Sequence, residues 1–237
     1  MNSIELQHEE ARYNELRRLG RELHIPIPEA FWELEVRDKH GKVIQSLRQR
    51  SHSWVRNAYN QLFCQLAAKD ANDTTFGPGK LSGKQTNGTV RGVAYPFGYG
   101  ESNSVDGTGY GLRAPAGIDT KGIVVGSGTN AESLEDYALQ TQIANGTGAG
   151  QLSYIASEPH SITYDAGTKV LKDTLIRFFN NNSGGGVNVN EVGIVAYLQG
   201  QFNQNYMMSR DKLAATVTVP NTGQMKVTYT VQLTYPA

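Results

Sequence analysis

The stretch Gln224-Met225-Lys226-Val227-Thr228-Tyr229-Thr230-Val231-Gln232-Leu233-Thr234 decides the fold class. Met225, Val227, Tyr229, Val231 and Leu233 alternate with Lys226, Thr228, Thr230, Gln232 and Thr234. Successive side chains of a strand leave on opposite faces, so this period of two makes one apolar face and one polar face. Such a strand is at home in an antiparallel sheet with one covered side. Turn residues precede it in Pro220-Asn221-Thr222-Gly223. The strand is predicted over 224–235, and further candidates lie upstream at 121–126, 150–156, 160–165, 169–180, 187–198, 204–210 and 214–219. Asp165-Ala166-Gly167 and Asn182-Ser183-Gly184-Gly185-Gly186 separate some of them. Many short strands without interleaved helices predict an antiparallel β-sandwich or jelly-roll-like domain, in a chain that is mainly β.

The N-terminal part reads differently. Residues 31–50 predict a hairpin, with Trp32, Leu34 and Val36 alternating with Glu33 and Glu35, and Val43, Ile44 and Leu47 returning. Asp38-Lys39-His40-Gly41 supplies the turn, with Gly41 free to take positive φ. Residues 53–68 predict a helix with Ser53 as N-cap. Its apolar face is Val55, Ala58, Tyr59, Leu62, Phe63 and Leu66, and it is expected to cover a sheet. Residues 4–24 predict an amphipathic helix whose narrow stripe is Tyr13, Leu16, Leu19 and Leu23, stopped by Ile25-Pro26-Ile27-Pro28. The stripe suits packing on its own domain and on a neighbouring subunit equally.

Residues 69–120 are Gly-rich but carry Phe76, Tyr95, Phe97, Tyr99 and Tyr110, which a passive linker would lack. The organisation expected is therefore a helical arm over 1–28, a hairpin and helix over 29–68, a long Gly/aromatic loop over 69–120 that lies on a neighbour, and a sandwich over 121–237. The expected core is Trp32, Leu34, Val36, Tyr59, Leu62, Phe63, Phe178, Ile194, Tyr229, Val231 and Leu233.

Charge narrows the function classes. The 237 residues carry 22 basic and 22 acidic side chains, so there is no phosphate-neutralising excess and no nucleic-acid partner is expected. The single cysteine, Cys64, allows no intramolecular disulfide and reads as a small buried hydrophobe. Met1 to Glu10 are polar and acidic, and no run approaches the roughly 20 apolar residues that span a bilayer. A chain that is not secreted by the usual route and has no membrane partner is expected.

Catalytic motifs fail when tested against their mechanics. Val125-Gly126-Ser127-Gly128-Thr129-Asn130-Ala131 matches the loose dinucleotide fingerprint, but a β-rich tail follows where a helix and a second parallel strand are required. A tight turn before a short helix is expected there. Gly79-Lys80-Leu81-Ser82-Gly83-Lys84 lacks the first glycine and the hydroxyl of a phosphate loop. His8, His24, His40, His52 and His160 show no ligand spacing. Glu132, Glu135 and Asp136 are expected to complement the start of the short helix, with Ca²⁺ binding the lesser reading. Arg177 and Arg210-Asp211 read as cross-strand pairs, as a subunit seam or as solvated charges, and Glu191 as the polar face of a strand. No catalytic, cofactor-binding or metal-ligating residue is assigned, and no cofactor or small-molecule substrate is expected.

From Gly122 onward the chain resembles the β-sandwich structural proteins of tailed-bacteriophage virions. The resemblance is carried by Val124-Val125-Gly126-Ser127-Gly128-Thr129, Leu134-Glu135-Asp136-Tyr137-Ala138-Leu139 and Asn145-Gly146-Thr147-Gly148-Ala149-Gly150-Gln151-Leu152. Arg177-Phe178-Phe179-Asn180-Asn181-Asn182-Ser183-Gly184, Asn190-Glu191-Val192-Gly193, Ser209-Arg210-Asp211 and Gly223 to Val231 belong to it too. The segment from Trp32 to Leu66 is similar to the N-terminal parts of such proteins, less specifically. These are packing and turn motifs, so no active-site residue carries over. The resemblance implies a non-enzymatic virion component, a head decoration or a head–neck or tail protein, made in the host cytoplasm. Self-association, with a trimer as one candidate state, and contact with other virion proteins are expected through Tyr13, Leu16, Leu19, Leu23, Tyr95, Phe97, Tyr99 and Tyr110. A host-surface or glycan-binding module is the alternative, because the loop aromatics suit stacking on sugars.

Overall fold

A computed structural model describes residues 3–67, 75–77, 80–92, 111–198 and 204–235. Helix α1 (Ser3–Leu23) precedes the hairpin β1 (Ile27–Arg37) and β2 (Val43–Arg50), then α2 (Arg56–Ala67). The short β3 (Gly83–Lys84) and β4 (Val90–Arg91) pair with each other. The remaining strands are β5 (Gly122–Gly126), β6 (Ser153–Tyr154), β7 (Ser161–Asp165), β8 (Val170–Asn180), β9 (Val187–Leu198), β10 (Gln204–Val219) and β11 (Gln224–Thr234). One sheet runs β2-β1-β11-β8, with β6 and β7 both pairing along β8, and the other runs β10-β9-β5. Among the described residues every pairing between these strands is antiparallel. The two sheets enclose one core, so the chain is mainly β and folds as an antiparallel β-sandwich with an N-terminal helix.

Register shows how alternation builds this core. Trp32, Leu34 and Val36 stand opposite Tyr229, Val227 and Met225, which stand opposite Leu175, Arg177 and Phe179. Opposed residues of an antiparallel pair point to the same face, so these rows form the inner surface of the first sheet. Ile123, Val125, Val192 and Ile194 close over it from the second. Trp32 stacks on Tyr229 with ring centroids 4.3 Å apart and donates its indole N–H to Asp211 at 2.8 Å. Gly41 takes φ 79° in the β1–β2 turn, as the sequence requires.

Several expectations are corrected. Trp32, Leu34, Val36, Ile194 and Tyr229 are buried, but Tyr59, Leu62 and Phe63 are exposed. On β8 the buried phenylalanine is Phe179, while Phe178, Val231 and Leu233 are only half-buried. The candidates 204–210 and 214–219 are one strand, β10, interrupted by register shifts at Met207/Ser209 and Lys212/Val217. The second helix begins at Arg56, and Ser53 does not cap it; its carbonyl instead accepts the Arg210 N–H at 3.1 Å. No helix follows Ala131, only turns.

Arg177 is fully buried and faces carbonyls instead of a carboxylate. It donates to Ile155 O at 2.9 Å, Lys121 O at 2.9 Å, Ile123 O at 3.0 Å, Pro115 O at 3.1 Å and Ile118 O. Burial pushes its pKa down to about 10. The planar fork of a guanidinium satisfies several fixed acceptors at once, so Arg177 ties the 115–123 segment to β8. It is neither a solvated charge nor a cross-strand ion pair.

The free edge of β2 is joined to β10 by side chains. Gln45 donates to Thr216 O at 2.8 Å and accepts from Thr218 N at 3.0 Å. Four residues on, Gln49 donates to Lys212 O at 3.0 Å and accepts from Ala214 N at 2.8 Å. Each amide pairs with the strand as a peptide group would, and so links the two sheets at this side.

Truncation should separate the two phenylalanines. Phe179→Ala is expected to cost about 3–5 kcal/mol, the usual range for an aromatic removed from a core. Phe63→Ala should stay within about 0.5 kcal/mol, as surface changes do. Denaturant melts of both variants check the assignment.

Candidate assembly surface

Helix α1 ends where the chain turns through His24, at φ 55°. Ile25 N donates to Gly20 O at 2.8 Å and His24 N to Arg21 O at 3.3 Å. This is the paired Schellman closure, with histidine in the position glycine usually fills. Gly20 lies against the start of β1, where a Cβ would stand 2.6 Å from Ile27 Cγ1. Only glycine allows the helix to approach this closely.

The face of α1 that meets the sheet is polar. Arg17 forks onto Glu29 of β1, Nε to Oε1 at 2.8 Å and Nη2 to Oε2 at 3.0 Å. Arg50 at the end of β2 bonds both Glu29 and Glu10. Its guanidinium lies 3.7 Å from the Tyr13 ring centroid and 4.7 Å from that of Phe31. His52 Nε2 is 2.6 Å from Glu9. Burial alone would raise the Glu29 carboxyl, but Arg17 and Arg50 together outweigh it and hold the group below the usual range. The Arg50 hydrogen bond likewise lowers Glu10.

With its polar face inward, α1 leaves Leu16, Leu19 and Leu23 exposed, Leu23 by 64%. Tyr13 is thus separated from the other three residues of the expected stripe, because its ring is engaged by Arg50. Tyr95, Phe97, Tyr99 and Tyr110 lie outside the described residues.

Helix α2 repeats the arrangement. Its inward groups are amides: Asn57 donates to Lys84 O and accepts from Lys84 N, both at 2.8 Å, and Asn60 donates to Ser82 O at 2.8 Å. Cys64 is buried on the same side. Tyr59, Leu62 and Phe63 are turned out, Phe63 by 57%. Asn57 and Asn60, spaced one helical turn apart, are the signal that could have identified this docking face.

The motifs with an enzymatic look are occupied by the fold itself. Glu191 is fully buried and accepts from Gly128 N at 3.1 Å, Thr141 N at 2.8 Å, Gln140 N at 3.0 Å and Arg210 Nε at 2.8 Å. A Cβ at Gly126 or Gly128 would collide with its Oε1. The glycines of the nucleotide-like fingerprint therefore cradle an internal carboxylate. Arg210 also pairs with Asp136 at 2.8 Å, Arg56 with Glu135, and Glu132 accepts the Lys212 N–H at 2.8 Å. The three carboxylates considered for Ca²⁺ each have a different partner, and no group suited to a metal ion occurs among the described residues. No helix of the described residues is long and apolar enough to cross a membrane.

Comparison with family models, curated proteins and solved structures finds no match.

The attachment of α1 should respond to acid and salt. Glu29 and Glu10 are held below the ordinary carboxylate value of 4.5, so their stabilising effect is complete above that value. It is lost as pH falls through the lowered folded value. At about 1 M salt the screening length falls to about 3 Å and weakens the exposed pairs. Hydrogen exchange, corrected for intrinsic rates, should show α1 amides losing protection at low pH or high salt before those of β11.

Proposed function

We propose that this chain is a non-enzymatic structural protein of a tailed-bacteriophage virion. It assembles with copies of itself and with neighbouring virion proteins on the capsid or at the neck or tail. The observation that carries this reading is the inversion of both helices. Leu16, Leu19 and Leu23 of α1, and Tyr59, Leu62 and Phe63 of α2, face away from a core that already has its own closure. Exposed apolar ridges beside satisfied polar docking faces are what a subunit offers to neighbours. The internal commitment of Glu191, Arg210, Asp136 and Arg177 is further support, since these charges hold segments of the fold together. The resemblance of the segment from Gly122 onward to virion sandwich proteins points the same way.

The test uses the whole chain. Replacing Leu16, Leu19 and Leu23 by Gln should leave the melting midpoint within the range of ordinary surface changes, about 0.5 kcal/mol. The same variant should fail to join particles produced by the virus that encodes it. Wild-type protein should be present in those particles at a fixed copy number. Absence of the wild-type chain from purified particles, or normal incorporation of the variant, would sink the proposal.

A further inference from the structure

Strand β7 forms an edge of the first sheet. It pairs with β8 along one side, and among the described residues nothing pairs with the other. All five of its residues are exposed, Ile162 by 69% and Tyr164 by 56%. Ile162 stands opposite Asp173, which stands opposite Val231, and Tyr164 opposite Leu171, which stands opposite Leu233. These residues continue the face that farther along buries Trp32 and Leu34, but on β7 that face is exposed. Tyr164 meets Tyr235 edge-on, with centroids 6.2 Å apart.

A sheet edge fixes the chemistry of its occupant, because its outward N–H and C=O groups accept only another extended strand. Natural edges are usually guarded by Lys, Pro or a bulge. Ser161-Ile162-Thr163-Tyr164-Asp165 has no Lys or Pro, and its register with β8 is unbroken. We propose that β7 pairs antiparallel with β7 of a second copy of this chain, about a twofold axis at Thr163.

The sequence is self-complementary in that register. Ile162 falls opposite the second copy's Tyr164, and Tyr164 opposite its Ile162, so four apolar side chains form one strip on the open inner face. Ser161 falls opposite Asp165, so no like charges meet. Asp165 is already turned to its own loop, accepting from Gly167 N at 2.8 Å and Thr168 N at 3.1 Å. Lys172 lies behind Thr163 on β8, and the two copies of Lys172 would stand three strand spacings apart. That is about 14 Å, beyond the screening length of about 8 Å in physiological salt. An isologous contact of this kind closes on itself and makes a pair. It is separate from the leucine ridge of α1 and does not require the virion reading.

Thr163→Cys in the full chain tests both the contact and its register. Cα atoms directly opposite in an antiparallel pair are about 4.5–5.5 Å apart, within disulfide reach. The only native cysteine, Cys64, is buried and leaves the background clean. Mild oxidation should convert the Thr163→Cys protein to a covalent dimer. Ser161→Cys should not cross-link, since its two copies would lie four residues out of register, about 13 Å apart. Ile162→Lys should weaken the dimer seen by sedimentation at least tenfold, while its thermal midpoint matches that of wild type once both are diluted to monomers. The Leu16, Leu19, Leu23 variant should still pair, which separates this contact from the arm. A wild-type chain that sediments as a monomer at all concentrations would overturn the proposal, as would equal cross-linking at 161 and 163.

Discussion

Arg210 and Asp211 are consecutive on β10, so their side chains leave the strand on opposite faces. Arg210 goes outward to Glu191, Asp136 and the carbonyls of Asn130 and Ala131, and fastens the loop after β5 onto the second sheet. Asp211 goes inward to the Trp32 indole, the Ser51 hydroxyl and the His52 backbone N–H, and fastens the first sheet from the other side. One dipeptide thus ties three layers. Burying such charges is costly, and removing one partner strands the other at about 3–5 kcal/mol. The pair therefore fixes which loop and which sheet can occupy each face of β10. The cradle around Glu191, the placement of Trp32 and the line of the β2–α2 connection all follow from it.

Away from that centre, amide side chains take the place of backbone. Gln45 and Gln49 continue β10 across to β2, and Asn57 and Asn60 seat α2 on β3. Asn181 donates to Gly185 O and Val219 O and holds the turn before β9 against the end of β10. A typical hydrogen bond adds about 0.5–1.5 kcal/mol net, whereas burying a leucine or phenylalanine adds about 1.5–3 kcal/mol. Docking helices by amides and ion pairs is thus the weaker choice for a lone chain. It leaves hydrophobic free energy unused at Leu16, Leu19, Leu23, Leu62 and Phe63, available for contacts with other molecules.

The strands were legible in the sequence because alternation reports one covered face directly. β9 falls at the predicted 187–198, and β11 ends one residue short of the predicted 224–235. The charged core was not legible. A Glu or Arg in an alternating strand looks the same whether water or a ring of carbonyls meets it. Arg177 shows the consequence. The β8 phase of Ile176 and Phe178 looks more apolar than that of Leu175, Arg177 and Phe179, yet the second is the buried one. The helices misled for the related reason that an apolar stripe signals burial against something, not burial within the same chain. Tyr13, Leu16, Leu19 and Leu23 were visible as a stripe, but Arg17, Glu10 and Gly20 decide which side of the helix meets the sheet.

Fastening α1 to its own sheet changes what assembly costs. An arm that folds only on binding must meet its ordering entropy at that moment, about 1–2 kcal/mol per residue. Here the Arg17–Glu29–Arg50 cluster has already fixed the helix, so the leucine ridge is presented in place. Preorganisation of this kind raises affinity without adding a contact. The β7 pairing proposed above is isologous and would close as a pair, so growth beyond that pair would need a second contact, for which the preorganised leucine ridge is the exposed apolar surface at hand.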